Sequence, residues 1–442
     1  MTARTRWPGT VAFAVLVALA SERALPSAQS DSAASFRVTS VRVFDGERVH
    51  QDTQVAVEGG LIRAVGRDLT RWRHLPVVDG TGATLMPGLI DAHVHVREAN
   101  ELRQALRFGV TTALDLGAAI EPDALFALRT AASSARDMAD LRVAGFVATA
   151  RGSQEPGNLT TASTPQVATV ADARQFVAMR HAEGVDHLKI ILRGRQSANT
   201  GVPNLDAPRV KALIETAHAN GLLAVAHVET LDDVRIALSS GVDGVVHVWR
   251  SEGANPEMAR RIVERGVFVM PVIVGPDSFL PEGRATLLAE TRFQSILSKS
   301  IREHLSLDRS FPGIPITAAS LEVRRANLEA QLAAVRSLRE ARAKFIVGSD
   351  ASGISPVDFG ISIHRELELL KDAGLSPPEV LAAVTANTAN AFRLRDRGRV
   401  APGLRADLLL VRGDPTADIL ATREILRVWK AGVEVDKSMI ER

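Results

Sequence analysis

Two histidines one residue apart close an apolar run, LMPGLIDAHVHV (85–96). Side chains two apart on a strand point the same way, so His93 and His95 aim at one point. Such a pair can be chance, part of a turn, or half of a metal site. Four later residues could share that work. Lys189 lies inside VDHLKIIL (185–192), His227 closes LLAVAHVE (222–229), His247 lies in VDGVVHVW (242–249) and Asp350 closes KFIVGSD (344–350). A lysine among apolar neighbours is costly to bury without a partner or a change in its chemistry. A lone strand histidine says little, and the other seven of the 11 histidines (His50, His74, His181, His187, His218, His304, His364) scatter without pattern. Four imidazoles, one lysine and one carboxylate at the ends of five strands read together as a metal-ligand cluster. The chain has no cysteine, so thiolate ligands and disulfides are excluded.

Those residues need a scaffold that brings strand ends together. Eight apolar runs, at 85–96, 110–117, 141–150, 185–192, 222–229, 242–249, 267–274 and 344–350, alternate with helical stretches. Near-continuous apolar strands suit a parallel sheet covered on both faces. Eight such repeats predict an α/β fold, a (β/α)8 TIM barrel, whose reactive groups sit at the C-terminal strand ends. The clearest helix is LDAPRVKALIETAHANG (205–221), with Asp206 to cap it, Pro208 in its first turn and Gly221 to end it. A second opens at Ser376 with Glu379 as its capping-box partner. The stretch 275–340 is too long for a plain crossover and is expected to carry helices of its own, as a lid or an oligomer surface. The flanks alternate and are punctuated by turns. They predict a small β-sandwich built from 31–84 plus 395–442, around a barrel at 85–394.

The first thirty residues differ from the rest. Arg4 and Arg6 precede VAFAVLVALA (11–20) and then small residues. This is the pattern of a signal peptide over 1–30, and the run is shorter than the roughly 20 residues a membrane span needs. A secreted or periplasmic protein, not held in the membrane after cleavage, is expected. Loss of Arg4, Arg6, Arg23 and Glu22 would take the net charge from +2 to zero, which suggests no nucleic-acid partner.

With the motifs on the page, the chain resembles the amidohydrolase superfamily. The resemblance rests on HVH after PGLID, on His227 and His247, and on Asp350 in VGSDAS. It extends to GLSPPEVLAAVTANTANAF (374–392) and GRVAPGLRADLLLVRGDP (398–415). Lys189 in GVDHLKI narrows it to a prolidase-like branch related to imidazolonepropionase. The resemblance implies two divalent metal ions. His93, His95 and Asp350 would hold the more buried one, and His227 and His247 the more exposed one. Lys189, carboxylated by CO2, would bridge both. Zn2+ suits such ligands, as do Mn2+ and Co2+. It also implies hydrolysis of a carbon–nitrogen bond by a hydroxide held between the metals, with Asp350, Lys189 and His247 as the catalytic set.

The implied substrate is a small amide: an Xaa-Pro or other dipeptide, or an N-acyl amino acid. The chain has no tyrosine to grip a substrate carboxylate. Arg193 and Arg195 are the alternatives, because a guanidinium can hold a carboxylate bidentately; a solvated basic loop is the competing reading. Trp249 is read as packing, with a pocket wall as the competing reading, His187 as a barrel-interior residue, Asp115 as a structural residue or one standing behind the ligands, and Glu366 as a helix-surface or packing residue. Two other functions stand beside the first: a cyclic-amide hydrolase or deaminase using one metal, and an inactive relative that binds or assembles. A homo-oligomer is compatible with any of them.

Overall fold

The structure is a computed structural model that describes residues 35–153, 164–194, 201–250, 252–294, 296–307, 316–353 and 356–436. The leader expected at 1–30, and Arg195, lie outside the described residues.

The chain opens with β1 (Phe36–Phe44), β2 (Val49–Glu58), β3 (Leu61–Gly66), β4 (Val77–Asp79) and β5 (Ala83–Pro87). Alternation on β1 buries Phe36, Val38, Val41 and Val43. Gly59 and Gly60 both take positive φ, the geometry a two-residue hairpin between β2 and β3 needs.

Parallel strands and helices then alternate: β6 (Leu89–Val94), α1 (Ala99–Arg107), β7 (Val110–Asp115), α2 (Pro122–Ser134), β8 (Asp140–Val143), α3 (Val170–Glu183), β9 (His187–Ile191) and α4 (Ala207–Ala219). The series continues with β10 (Leu223–His227), α5 (Leu231–Ser239), β11 (Gly244–Val246), α6 (Pro256–Glu264) and β12 (Phe268–Met270). The long segment does carry its own helices: α7 (Val274–Ser278), α8 (Pro281–Ala289), α9 (Lys299–Ser306) and α10 (Ala318–Glu340). Then come β13 (Lys344–Phe345), α11 (Ile361–Asp372) and α12 (Pro377–Ala382). The expected caps form. Asp206 accepts the Arg209 backbone N–H at 3.1 Å, and Ser376 and Glu379 make a capping box.

Each of the eight predicted runs contains a parallel strand. They are hydrogen-bonded as β6-β7-β8 and β9-β10-β11-β12-β13. Backbone bonds stitch the two sheets at both margins. Ala148 N–H donates to Lys189 O at 2.9 Å on one side, and Asp350 N–H donates to His93 O at 2.7 Å on the other.

Hydrogen bonding joins strands of the two terminal segments in one mixed sheet. β14 (Leu408–Arg412), β15 (Ile425–Lys430) and β16 (Val433–Glu434) complete the order β16-β15-β14-β5-β1-β2-β3, with β4 on β1. Phe36 stacks on Trp429 across it, with centroids 4.9 Å apart.

One expectation changes here. The run 85–96 is two strands, β5 in the mixed sheet and β6 in a parallel sheet. Pro87 pairs with Leu408, and Gly88 turns its N–H to Asp407 O at 2.9 Å. A Cβ on Gly88 would lie 2.4 Å from the Thr111 side chain, so only glycine lets the chain pass from one sheet to the other. Among the described residues, no helix is long and apolar enough to cross a membrane.

Candidate metal centre

The strand ends deliver the residues the sequence singled out. His93 is on β6, Lys189 on β9 and His227 ends β10; His95 and His247 each lie one residue past a strand. All five are buried, His93 at 2% exposure and Lys189 at 1%. Asp350 differs, with 32% of its side chain open, so it is the member a substrate can reach.

Asp350 Oδ1 lies 2.9 Å from His95 Nε2 and 3.3 Å from His93 Nε2, and its Oδ2 lies 3.9 Å from His247 Nε2. The imidazoles form a chain, with centroids 5.0 Å apart for His93–His95, 5.4 Å for His93–His247 and 4.5 Å for His227–His247. Ligand atoms of His93, His95 and Asp350 all fall within 4.8 Å of one another. The charge of Lys189 is felt by His93, His227, His247 and Asp350 alike.

Burial keeps His93, His227 and His247 well below the ordinary imidazole value, and the Lys189 charge pushes the same way. They are therefore neutral, the form that binds metals. His95 is the exception. Burial would lower it, but the Asp350 hydrogen bond and charge raise it. For Asp350, burial opposes ionisation, yet the His95 bond with the charges of His95, His247 and Lys189 holds it below the usual carboxylate range. It is an anion.

The donor set fits a cation. His95 Nδ1 donates to Gly117 O at 2.9 Å, which leaves Nε2 facing the Asp350 carboxylate at 2.9 Å; a proton on Nε2 satisfies that contact, and a bound cation would take the proton's place. Among the described residues, the buried Nε2 of His227 has no hydrogen-bond partner, which suits a metal ligand.

Two buried carboxylates orient these ligands. Asp115 accepts the N–H groups of Val96 at 2.8 Å and Gly117 at 3.0 Å, which fixes the loop that holds His95. Asp91 accepts Ser349 Oγ at 2.6 Å, Ser349 N–H at 2.9 Å and His93 N–H at 3.2 Å, tying the first strand end to the last. Burial pushes Asp91 up to about 6 and Asp115 up to about 7. His247 and Asp350 both adopt the left-handed backbone region, at φ 65° and 63°. Such strain outside glycine concentrates at functional sites.

Arg193 donates to Glu229 Oε1 at 3.2 Å, and Arg250 approaches the same oxygen at 3.5 Å. That oxygen is 3.6 Å from His227 Nε2, so Arg193 does border the centre. Trp249 packs, at 1% exposure, and its indole N–H donates to Gly253 O. His187 is interior, donating to Asp115 O at 3.0 Å, with burial lowering it to about 4. Glu366 is fully buried and bonds backbone, away from the helix surface where it was one expectation. Sequence reading missed Asp91, Glu229 and Arg250. Asp91 and Glu229 each sit two residues from a candidate ligand, and that period of two was the available signal.

A model described as the amidohydrolase family matches residues 84–440. The chain belongs to that family. Imidazolonepropionase from Cereibacter sphaeroides is 27% identical over 403 residues, covering 85% of this chain and 92% of the relative. A shorter match, 41% identical over 104 residues, spans 23% of this chain and 26% of imidazolonepropionase from Deinococcus deserti. A solved Xaa-Pro dipeptidase with bound methionine in its active site superposes with a TM-score of 0.71 at 18% identity. It covers 91% of this chain and 99% of that one, a likeness of fold. This amidohydrolase is a metal-dependent hydrolase.

Proposed function

We propose that this amidohydrolase is a binuclear enzyme, secreted or periplasmic, that cleaves the amide bond of a small substrate: an Xaa-Pro or other dipeptide, or an N-acyl amino acid. One observation carries the reading. His93, His95 and Asp350 bring ligand atoms within 4.8 Å of one another, His247 and His227 extend that cluster ring to ring, and the charge of the buried Lys189 acts on four of the five. In this reading β6–β13 form a (β/α)8 barrel over 85–394, and the mixed sheet is the small β domain of 31–84 plus 395–442.

His93, His95 and Asp350 hold one divalent ion and His227 and His247 a second, with Zn2+ suited to both sets. Lys189, once carboxylated by CO2, would lose its charge and would supply oxygen ligands for such ions. Ions bound there supply Lewis acidity toward an amide carbonyl and a nucleophile drawn from water at neutral pH. Asp350 takes the proton released in the attack and passes it to the leaving nitrogen. Arg193, held beside the centre by Glu229, grips the substrate carboxylate.

Metal analysis with a substrate panel tests this. Wild-type protein is expected to carry two ions per chain and Lys189→Ala one at most, with activity lost. Full activity in Lys189→Ala would sink the binuclear reading. Arg193→Met should raise KM roughly 10- to 100-fold for a dipeptide, and far less for the same dipeptide as its C-terminal amide. Steady-state kinetics on the pair decides it. N-terminal sequencing of protein exported by its host tests the leader. A second reading, an imidazolonepropionase-type enzyme opening a cyclic amide with one ion, is favoured by the 27% identity over 85% of the chain. One ion per chain together with turnover of lactams but not dipeptides would select it.

A further inference from the structure

Three neighbouring strands, β11, β12 and β13, are each followed by a residue in the left-handed region: His247, Val272 and Asp350. Two of these carry side chains of the metal centre. Val272 carries only an apolar side chain, is fully buried and sits at φ 56°. A β-branched residue rarely adopts that conformation, and it persists only where the surroundings over-determine it.

The surroundings here are Glu366. It is fully buried on α11, where its Oε2 accepts the backbone N–H of Val274 at 2.7 Å; the Val272 and Ile273 N–H groups face the same carboxyl, whose Oε1 has no hydrogen-bond partner among the described residues. The same helix grips the far end of α7, since Arg365 donates twice to Asp277, at 2.9 Å each. Neighbouring groups therefore tie both ends of the turn that leaves β12. A helix-surface role needs no buried carboxylate, and packing alone would be met by leucine.

The turn leads back to the centre through Met270. His247 N–H donates to Met270 O at 2.8 Å. Met270 Sδ also flanks Gly348, where an added Cβ would lie 2.5 Å from that sulfur and 2.7 Å from His93 Cβ. The end of β12 thus abuts the backbone of one candidate ligand and the side of another, with no room to spare on the Gly348 side.

We infer that Glu366 is a positioning residue: it holds Val272 in its left-handed turn, and through the Met270–His247 backbone bond it sets where His247 stands in the metal centre. The inference rests on the metal-centre reading above. Glu366 touches neither substrate nor ligands, and acts through the β12 turn.

The test is metal affinity, measured by chelator competition on purified protein, alongside kcat, KM and Tm. Glu366→Ala is expected to weaken affinity about 10- to 100-fold, the usual effect of removing a group that orients ligands, and to lower kcat with little change in KM. Glu366→Gln keeps an acceptor oxygen in place and should recover wild-type affinity to within about threefold. Glycine adopts positive φ freely, so adding Val272→Gly to Glu366→Ala should restore part of the affinity. If Glu366→Ala does not fold, Glu366→Asp serves, since its shorter carboxylate cannot reach the Val274 amide. A lower Tm with unchanged metal affinity and kcat would overturn the inference, because capping for stability alone predicts that result. Wild-type protein that binds no divalent ion would overturn the metal centre along with it. Wild-type that binds metal, with variants that bind equally well, overturns only the role of Glu366.

Discussion

An Asp350→Asn enzyme folds like the wild type and loses about 10³- to 10⁴-fold in kcat. Asparagine is the right probe because it tolerates the left-handed backbone that Asp350 adopts at φ 63°. The fold has little reason to respond, since 32% of the Asp350 side chain is open. The chemistry has every reason. Oδ1 stands 2.9 Å from His95 Nε2 and 3.3 Å from His93 Nε2, so the variant loses the anion those rings face. It also loses the carboxylate proposed to carry a proton between water and the leaving nitrogen. Kinetics, metal content and thermal melting on one preparation check the prediction. A near-normal kcat in metal-loaded Asp350→Asn would remove Asp350 from the catalytic set.

The largest stability effect is expected far from the metal centre, at Asp140. This residue starts β8, at the end of the strand opposite the centre, and is 5% exposed. Three cations converge on it: Arg397 at 2.6 Å, Lys430 at 2.7 Å, and Arg405. Lys430, on β15, is fully buried and donates to Ala132 O and Ala135 O at the end of α2. The cluster therefore fastens the mixed sheet to the parallel one. Asp140→Ala leaves the buried Lys430 without its anion, while Arg397 and Arg405 keep Asp407 at 3.7 and 2.9 Å, a change that costs about 3 kcal/mol. Denaturant midpoints at constant slope measure it. A loss under about 1 kcal/mol would show that water reaches the cations.

Acid acts on the same cluster with a defined sign. Burial would raise the Asp140 carboxyl, but the Arg405 bond and charge, with Lys430 and Arg397, pull it well below the ordinary aspartate value of 3.8 that it has in the unfolded chain. Its contribution is complete above that unfolded value. It declines only as pH falls from there toward the lower folded value, so it is constant across neutral pH.

Much of this was legible in one dimension. A strand ends where its apolar run ends, and parallel strands share one direction, so polar residues at run ends gather at one edge. That logic found His93, His95, His227, His247 and Asp350. Lys189 stood out because a cation inside an apolar run has no cheap explanation. The caps at Asp206 and Ser376 were readable because their partners are three residues away.

Long-range contacts were not readable. The break at Gly88 depends on Thr111, and the role of Asp91 depends on Ser349, 258 residues later. Arg193 looked like a free cation in a basic loop until Glu229 appeared beside it. Glu366 looked like any helix glutamate, because the Val274 amide it binds lies 92 residues earlier. By itself, then, the sequence determined the eight parallel runs and the residue types at their ends, since periodicity and residue chemistry are local properties, and its family resemblance implied the reaction class. Only the tertiary structure decided which carboxylate orients which ligand, and which buried charges are balanced by which partners. Those depend on contacts across hundreds of residues, and no spacing in the chain encodes them.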